Sequence, residues 1–419
     1  MRHAPRAATR VISLHRPFRI AIILGSEWRG GMLRNALLLA RLFASNEWDG
    51  VGRVDVVIGV LRSGKYDCAA LRQSCREVGP GVSFRTYEWT RVDAGWARLV
   101  FPPGSVRDDA RDVLVPNDGG REFRDADAWL FFSPHMLGEV AFLRPTAVFC
   151  ADLIPRRIGV SVAGADPWGD REALAETMRG WRRATCAFAT TPMTLLDLVS
   201  YAGISPDRAF LVPLQAEVFA GQPSRTQPVV PASPGIFWVT NASPHKNHLN
   251  AIAALRAYVA AGGNLRITVC GVDASQLDPS RGATHPAARA FAAAPEVLER
   301  TRFFEEPPDA SFRIMLAAHG LVWHNVLVDN GTYVAFDAAR AGAHFVSSDY
   351  PSQRYLCERH GVDALWHPAR DADRAAAALI EAERRLLANI VPAHNLRETS
   401  ENDLITAYGA ILARLAAHV

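Results

Sequence analysis

Three charged residues in the second half of the chain could bind a ligand that carries both phosphate and hydroxyl groups. Lys246 stands in the polar turn SPHKNH, just before a helical pattern, where its own charge and the helix dipole both favour a phosphate. Asp329 and Asp337 lie eight positions apart in LVDNGTYVAFDAARAG. Two carboxylates in that segment could hold the hydroxyl groups of a sugar or a ribose.

Two strand-turn-helix patterns position these residues. The apolar run GLVWHNVLV predicts a buried strand, Asp-Asn-Gly-Thr a turn, and YVAFDAARAG a helix that ends at a glycine. WVTNASPHKNHLNAI predicts the same sequence of elements around Lys246. A turn at the carboxyl end of a parallel strand points backbone N–H groups into a crevice, so both patterns predict a ligand site at one edge of a sheet.

The same alternation of strand and helix patterns runs through most of the chain, which predicts doubly wound parallel sheets. The Pro-, Ser- and Gly-rich stretch AGQPSRTQPVVPASPG interrupts it and indicates a linker. We therefore predict an α/β protein with a basic N-terminal arm (1–19), two Rossmann-like domains (20–219 and 236–397) joined by a linker (220–235), and an amphipathic C-terminal helix (398–419) that is free to pack back on the first domain.

Composition narrows the class of protein. The 419 residues are 49% hydrophobic and 21% charged with a net charge of +3, which is typical of a globular protein and does not favour a nucleic-acid partner. The six cysteines are scattered, as in a cytosolic protein with reduced thiols. No run of 18 apolar residues predicts a membrane span.

The N-terminal segment MRHAPRAATRVISLHRPFR contains five arginines and no acidic residue. The apolar segment after it is too short for a signal peptide, so we interpret it as a basic leader, with attraction to anionic lipid as the alternative. The turn GSEWRGGMLR, after the first predicted strand, lacks the spacing of G-x-G-x-x-G. That difference disfavours a dinucleotide-dependent oxidoreductase.

The motifs, taken in order, resemble the retaining glycosyltransferases of group 1, family 4. Asp329 to Gly342 is similar to their E-x7-E motif, and SPHKNH to their R-K-N-H segment. In the first half, Gly30, Gly31 and Arg34 resemble G-G-x-G-R. SPH and ADLIP resemble the H-S-P-H and H-D-L-I-P segments of the mannosyltransferase-like members. The resemblance implies the GT-B fold, in which two doubly wound domains face each other across a cleft and the C-terminal helix packs on the first domain.

The resemblance also implies an activity: transfer of a sugar from a nucleotide diphosphate donor to an acceptor hydroxyl with retention of configuration, without a metal or a cofactor. Lys246 and the amides of Gly331 and Thr332 would bind the diphosphate, Asp337 the ribose and Asp329 the transferred sugar. The residues it implies as catalytic are Lys246, Asp329, His135 and Asp152, the last two near the acceptor. The residues it implies as donor-binding are Gly30, Gly31, Arg34, Asn241, His245, Lys246, Asn330, Gly331, Thr332, Tyr333 and Asp337.

The chain departs from the family pattern at several of these positions. Both motif glutamates are aspartates, which draws each carboxylate back by about 1.5 Å. His245 replaces the arginine before the lysine, and Ala151 replaces the histidine before Asp152. Gly331 and Val334 stand at the motif's aromatic and proline positions.

The leading hypothesis is a bacterial, cytoplasmic glycosyltransferase that acts on a glycan or lipid-linked glycan in surface polysaccharide assembly, such as O-antigen or capsule, in peripheral contact with the inner membrane. The ADLIP and HKNH segments favour GDP-mannose as the donor, ahead of dTDP-rhamnose or a UDP-sugar. The alternative hypothesis is a non-catalytic GT-B subunit that binds a nucleotide sugar or a glycan.

Overall fold

The computed structural model describes residues 16–27, 29–64, 66–132, 138–158, 171–214, 234–330, 332–397 and 399–419. Most of the predicted basic arm and of the predicted linker lies outside these ranges. The exact domain limits therefore stay predictions.

The first sheet, within the described residues, has nine strands in the order β5-β4-β3-β1-β6-β7-β8-β9, with β2 paired to β3. Its pairs are parallel except β2 with β3 and β4 with β5. The strands are β1 (Phe18–Leu24), β2 (Glu47–Trp48), β3 (Gly52–Leu61), β4 (Val82–Asp93), β5 (Asp112–Asn117), β6 (Ala128–Phe132), β7 (Thr146–Phe149), β8 (Cys186–Ala189) and β9 (Ala209–Leu211).

The second sheet has six described strands, all parallel, in the order β12-β11-β10-β13-β14-β15. Chain order reverses between β10 and β13, and in open α/β sheets ligands bind at such a switch point. The strands are β10 (Gly235–Val239), β11 (Arg266–Gly271), β12 (Thr301–Glu305), β13 (Gly320–His324), β14 (His344–Ser348) and β15 (Leu365–His367).

Helices cover both faces of each sheet, and a separate apolar core lies on each face. This arrangement confirms the predicted pair of doubly wound domains. The helices are α1 (Gly30–Ser45), α2 (Cys68–Val78), α3 (Ala94–Val100), α4 (Ile154–Ile158), α5 (Arg171–Trp181), α6 (Pro192–Ser200), α7 (His248–Ala260), α8 (Pro286–Ala292), α9 (Pro295–Leu298), α10 (Asp309–His319), α11 (Tyr333–Ala341), α12 (Pro351–His360), α13 (Ala372–Leu387) and α14 (Glu401–Ala416).

The last helix, α14, returns to the first domain as predicted. The Tyr408 ring lies edge-on to Phe43 of α1 and Phe188 of β8, at centroid distances of 6.1 and 6.0 Å. Its hydroxyl donates to the carbonyl of Pro213 at 3.2 Å. Ile411 and Leu415, on the same helix, are completely buried in that core.

The strand before the Asp329 turn is shorter than the sequence predicts. β13 ends at His324, and the predicted continuation NVLV leaves the sheet. The Ser348 hydroxyl binds both the N–H and the carbonyl of Val326, at 2.9 and 2.7 Å, so a side chain replaces the sheet pairing there. The N–H of Leu327 then donates to the carbonyl of His245 at 2.8 Å. This crossing brings the Asp329 turn against the Lys246 turn.

Candidate active site

The two turns at the switch point of the second sheet meet through a buried ion pair. Lys246 Nζ donates to Asp329 Oδ2 at 2.5 Å, and both side chains are nearly inaccessible to solvent. Burial is the largest influence and acts to raise the pKa of Asp329, but Lys246, His245 and His324 together outweigh it and the pKa falls to about 2. Asp329 is therefore an anion at neutral pH. The structure brings together the two residues of the second domain predicted to be catalytic.

Two buried histidines flank the Asp329 carboxylate. The Nε2 atoms of His245 and His324 lie 3.9 and 4.0 Å from Asp329 Oδ2. Burial, reinforced by the Lys246 charge, lowers the pKa of each histidine to about 3, so both are neutral at physiological pH. Lys246 thus supplies the positive charge beside Asp329, and His245 does not provide the charge of the arginine it replaces.

Asp152 faces this pair from the first domain. It follows β7, and its carboxylate accepts a hydrogen bond from the N–H of Ile154 at 3.0 Å. Burial raises the pKa of Asp152 to about 7, despite the Ile154 amide, which lowers it. One pocket between the domains is lined by both Asp152 and Asp329. A carboxyl group that is partly protonated at neutral pH can accept or donate a proton there.

Asp337 and Arg34, two residues predicted to bind the donor, pair across the cleft. The Arg34 guanidinium donates to both carboxylate oxygens of Asp337, at 3.0 and 3.3 Å, and both side chains are mostly buried. The guanidinium also lies 4.8 Å from the centre of the Tyr333 ring. A planar bidentate pair with an aromatic ring beneath it is a strong and directional contact. In this structure Asp337 is bound to protein rather than open to a ribose.

The glycines before Arg34 lie at the contact between the first domain and the second. Gly30 has φ +55°, and a Cβ atom there would lie 3.4 Å from Val272 of the second domain. At Gly31 a Cβ would lie 3.9 Å from the Tyr333 ring. Gly30 thus occupies a left-handed position that side chains disfavour.

Asn330 also connects the domains. Its side-chain oxygen accepts hydrogen bonds from the hydroxyls of Thr191 and Thr194, at 2.9 and 2.7 Å, and its amide nitrogen donates to Thr190 at 3.1 Å. These three threonines are buried in the first domain. The predicted donor-binding role of Asn330 therefore competes, in this conformation, with an interdomain contact.

Other polar groups predicted to bind the donor are engaged within the second domain. The N–H of Thr332 donates to Gln353 Oε1 at 3.2 Å and is therefore already paired in this conformation. Asn241 Oδ1 accepts the N–H of Ser243 at 2.9 Å and thereby shapes the turn before Lys246. The Thr332 hydroxyl is buried without a hydrogen-bond partner among the described residues and is the group in that turn that could reach a ligand. His135 and Gly331 lie outside the described residues.

Sequence reasoning missed three contributors to this region. His324 is one, although a polar residue at the carboxyl end of an apolar strand is a signal that could have found it. Arg29 is another, and it forms interdomain ion pairs with Asp273 at 3.2 Å and Glu306 at 2.7 Å. Gln353, which holds the Thr332 amide, is the third.

Metal and membrane features can be judged for the described part of the chain only. There, no group of three or more His, Cys, Asp or Glu side chains is arranged to hold a metal ion. Within the same ranges, no helix is both long and apolar enough to span a membrane. The predicted metal independence stays a prediction.

Comparison with solved structures identifies the fold. HepE from Anabaena, solved with UDP and glucose, is 13% identical over 94% of each chain, with a TM-score of 0.61. Sucrose-phosphate synthase from Thermosynechococcus elongatus is 13% identical over 96% of this chain and 97% of its own, with a TM-score of 0.56. WaaG, a glycosyltransferase involved in lipopolysaccharide biosynthesis, is 13% identical over 94% of this chain and 99% of its own, with a TM-score of 0.53.

These likenesses show that the chain has the GT-B fold, which confirms the fold predicted from the sequence. No protein-family profile matches the sequence, and no curated protein matches it. What the chain does must therefore be argued from its own site.

Proposed function

We propose that the protein is a metal-independent, retaining glycosyltransferase that moves a sugar from a nucleotide diphosphate donor to a hydroxyl of a growing surface glycan. The observation that carries the proposal is the buried Lys246–Asp329 pair at the switch point of the second sheet, with Asp152 facing it from the first domain. HepE, which shares the fold, was solved with UDP-glucose as well as with UDP and glucose.

Charge development in sugar transfer suits this arrangement. When the bond between the sugar and the diphosphate breaks, negative charge grows on the diphosphate and positive charge grows on the sugar. Lys246 would stabilise the departing diphosphate, and a cation held in place in a buried site is far more effective than one in water. Asp329, kept ionised by Lys246, would stabilise the positive charge on the sugar or bind one of its hydroxyls.

Asp152 would act at the acceptor. With a pKa of about 7, its carboxyl can hold or receive the proton of the attacking hydroxyl. The proposed donor is GDP-mannose, which rests on the ADLIP and HKNH segments alone. The proposed location is the cytoplasm, in peripheral contact with the inner membrane, where a lipid-linked acceptor would be found.

A second candidate function is a non-catalytic subunit that binds a nucleotide sugar or a glycan. The observation that favours it is the closed cleft, in which Arg34 takes Asp337 and three threonines take Asn330. A subunit held in this form would not turn over.

One experiment distinguishes the glycosyltransferase from the non-catalytic subunit. It measures the release of nucleoside diphosphate from GDP-mannose, UDP-glucose and dTDP-rhamnose, with and without a panel of glycan acceptors. Wild-type protein should release nucleotide from one donor, and Lys246→Ala should reduce the rate about a hundredfold, the loss typical of one preorganised electrostatic group. Arg256→Ala is the matched control, because it removes a cation from the same domain at an exposed ion pair with Glu296. Donor binding without hydrolysis or transfer would favour the non-catalytic subunit.

A further inference from the structure

The pocket between the domains extends past Asp329 to a second charged group. In this closed conformation its cavity volume is about 20 Å³, and part of it opens to solvent. The first domain lines it with Asp152, Ile154 and Arg157 among others, and the second domain with Asp329 and neighbouring residues. An acceptor whose hydroxyl lies near Asp152 and Asp329 would therefore have Arg157 within the same pocket.

Two arginines of α4 share a single carboxylate at this end of the pocket. Arg157 binds Asp197 through Nε at 3.1 Å and Nη2 at 2.8 Å, and Arg156 also donates to Asp197. Asp197 is buried, whereas about a third of each arginine side chain is exposed. One carboxylate can accept hydrogen bonds from two guanidinium groups but can balance only one of their charges. The cluster therefore keeps an excess positive charge that solvent can reach.

The described residues in the rest of the pocket do not neutralise that excess. Asp329 is already balanced by Lys246 at 2.5 Å. Asp152 is the remaining carboxyl group among the described residues that line the pocket, and burial raises its pKa to about 7, which leaves it partly uncharged at neutral pH. Arg157 lines the pocket, while Lys246 and Arg156 contact the lining residues Asp329 and Asp197 from outside it. Among the described residues these three cations stand against two full carboxylate charges.

We propose that the acceptor carries an anionic group, either a phosphate or a carboxylate, and that Arg157, with Arg156 beside it, binds this group. The inference rests on the proposed function and deepens it, because it specifies the chemical class of the acceptor. Guanidinium groups bind phosphate and carboxylate in the same way, through paired, charge-assisted hydrogen bonds, so the arginines could recognise either group.

The test is a calorimetric titration of the full chain, saturated with GDP or UDP so that the donor's phosphate site is filled. The probes are inorganic phosphate and glucuronate, with glucose as the neutral counterpart of glucuronate. We expect at least one anion to bind and glucose not to bind. Arg157→Met should weaken anion binding about tenfold, the effect of one lost charge-assisted contact.

A second variant distinguishes anion binding from a merely structural role of the cluster. Asp197→Asn should tighten anion binding, because the carboxylate that competes for the arginines is removed. If Arg157→Met alone does not fold, the double variant Arg157→Met/Asp197→Asn replaces it in the titration. The double variant also removes the buried carboxylate that Arg157 binds. Arg256→Met, at an exposed ion pair, should change nothing.

The proposal is overturned if neither anion binds, if glucose binds as well as glucuronate, or if Arg157→Met and Asp197→Asn leave the affinity unchanged. Loss of anion binding in Lys246→Ala but not in Arg157→Met would assign the anion to the donor site and would also overturn it. Failure of the proposed function looks different: nucleotides and nucleotide sugars would not bind, while an Arg157-dependent anion site would remain. Tighter binding of phosphate than of glucuronate would identify a phosphorylated acceptor, and the reverse an acidic sugar.

Discussion

Replacing Lys246 by methionine should show how much the buried Lys246–Asp329 ion pair contributes to the stability of the second domain. In the wild type the pKa of Asp329 is lowered from 3.8 to about 2. That shift corresponds to about 2 kcal/mol of stability, present above pH 4 and lost as the pH falls toward 2. Without Lys246, burial, the largest influence on the pKa of Asp329, is opposed by the weaker influence of His245 and His324, which are neutral. Its pKa should then rise above 3.8.

The loss of stability expected for Lys246→Met is larger than the pKa shift of Asp329 alone suggests. Removing one partner of a buried pair leaves an uncompensated charge, which typically costs about 3–5 kcal/mol. For a domain of this size each kcal/mol lowers the melting temperature by about 2–4 °C, so the second domain of Lys246→Met should melt about 6–20 °C lower at pH 7. The deficit should shrink as the pH approaches 4, because protonation removes the unpaired charge of Asp329.

Differential scanning calorimetry between pH 4 and pH 8 measures this effect directly. Lys246→Met/Asp329→Asn should recover most of the lost melting temperature, because the double variant no longer buries an unpaired charge. Arg256→Met controls for the loss of a cation at an exposed position. A deficit of less than about 2 °C at pH 7, or one that does not depend on pH, would refute the reasoning.

Three further outcomes follow from the site. Asp152→Asn should raise the melting temperature by several degrees at pH 8 and leave it unchanged near pH 4. The raised pKa of Asp152 makes its ionised form in the native protein unfavourable, and this penalty appears only as the pH rises. An equal effect at both pH values would contradict this. If the Asp337 carboxylate leaves Arg34 to bind the ribose, Asp337→Asn should weaken GDP or UDP binding about tenfold, as measured by calorimetry. Unchanged affinity would indicate that Asp337 serves only to pair with Arg34. NMR of the glycosylated product should show the donor's anomeric configuration, whereas an inverted configuration would contradict the proposed retaining reaction.

Local patterns were sufficient to predict most of the elements and the edge of the sheet at which two candidate site residues lie. The strand-turn-helix patterns around Lys246 and Asp329 placed both residues at the carboxyl edge of one sheet, and the structure joins them at 2.5 Å. The family resemblance implied the return of α14 to the first domain, while its amphipathic pattern predicted the helix itself. These features depend on periodicity and on the geometry of parallel sheets, which a sequence expresses directly.

Contacts between the domains could not be predicted in this way. The pairing of Arg34 with Asp337 depends on how closely the two domains approach, and neither residue's neighbours in sequence carry that information. The early end of β13 was missed because Ser348, a residue of another strand, takes over the hydrogen bonds of Val326. In each case the decisive partner is remote in the chain, so a local pattern could not reveal it.

The return of α14 determines the order in which this protein can fold. Leu404, Tyr408 and Leu415 belong to the same core as Phe43 of α1, although the entire second domain separates them in sequence. During synthesis the first domain would therefore expose part of its apolar core until the second domain has been made and the last helix has followed. Contacts between residues so far apart in sequence slow folding. Until the last helix packs, the apolar surface that it covers is available to chaperones or to another nascent chain.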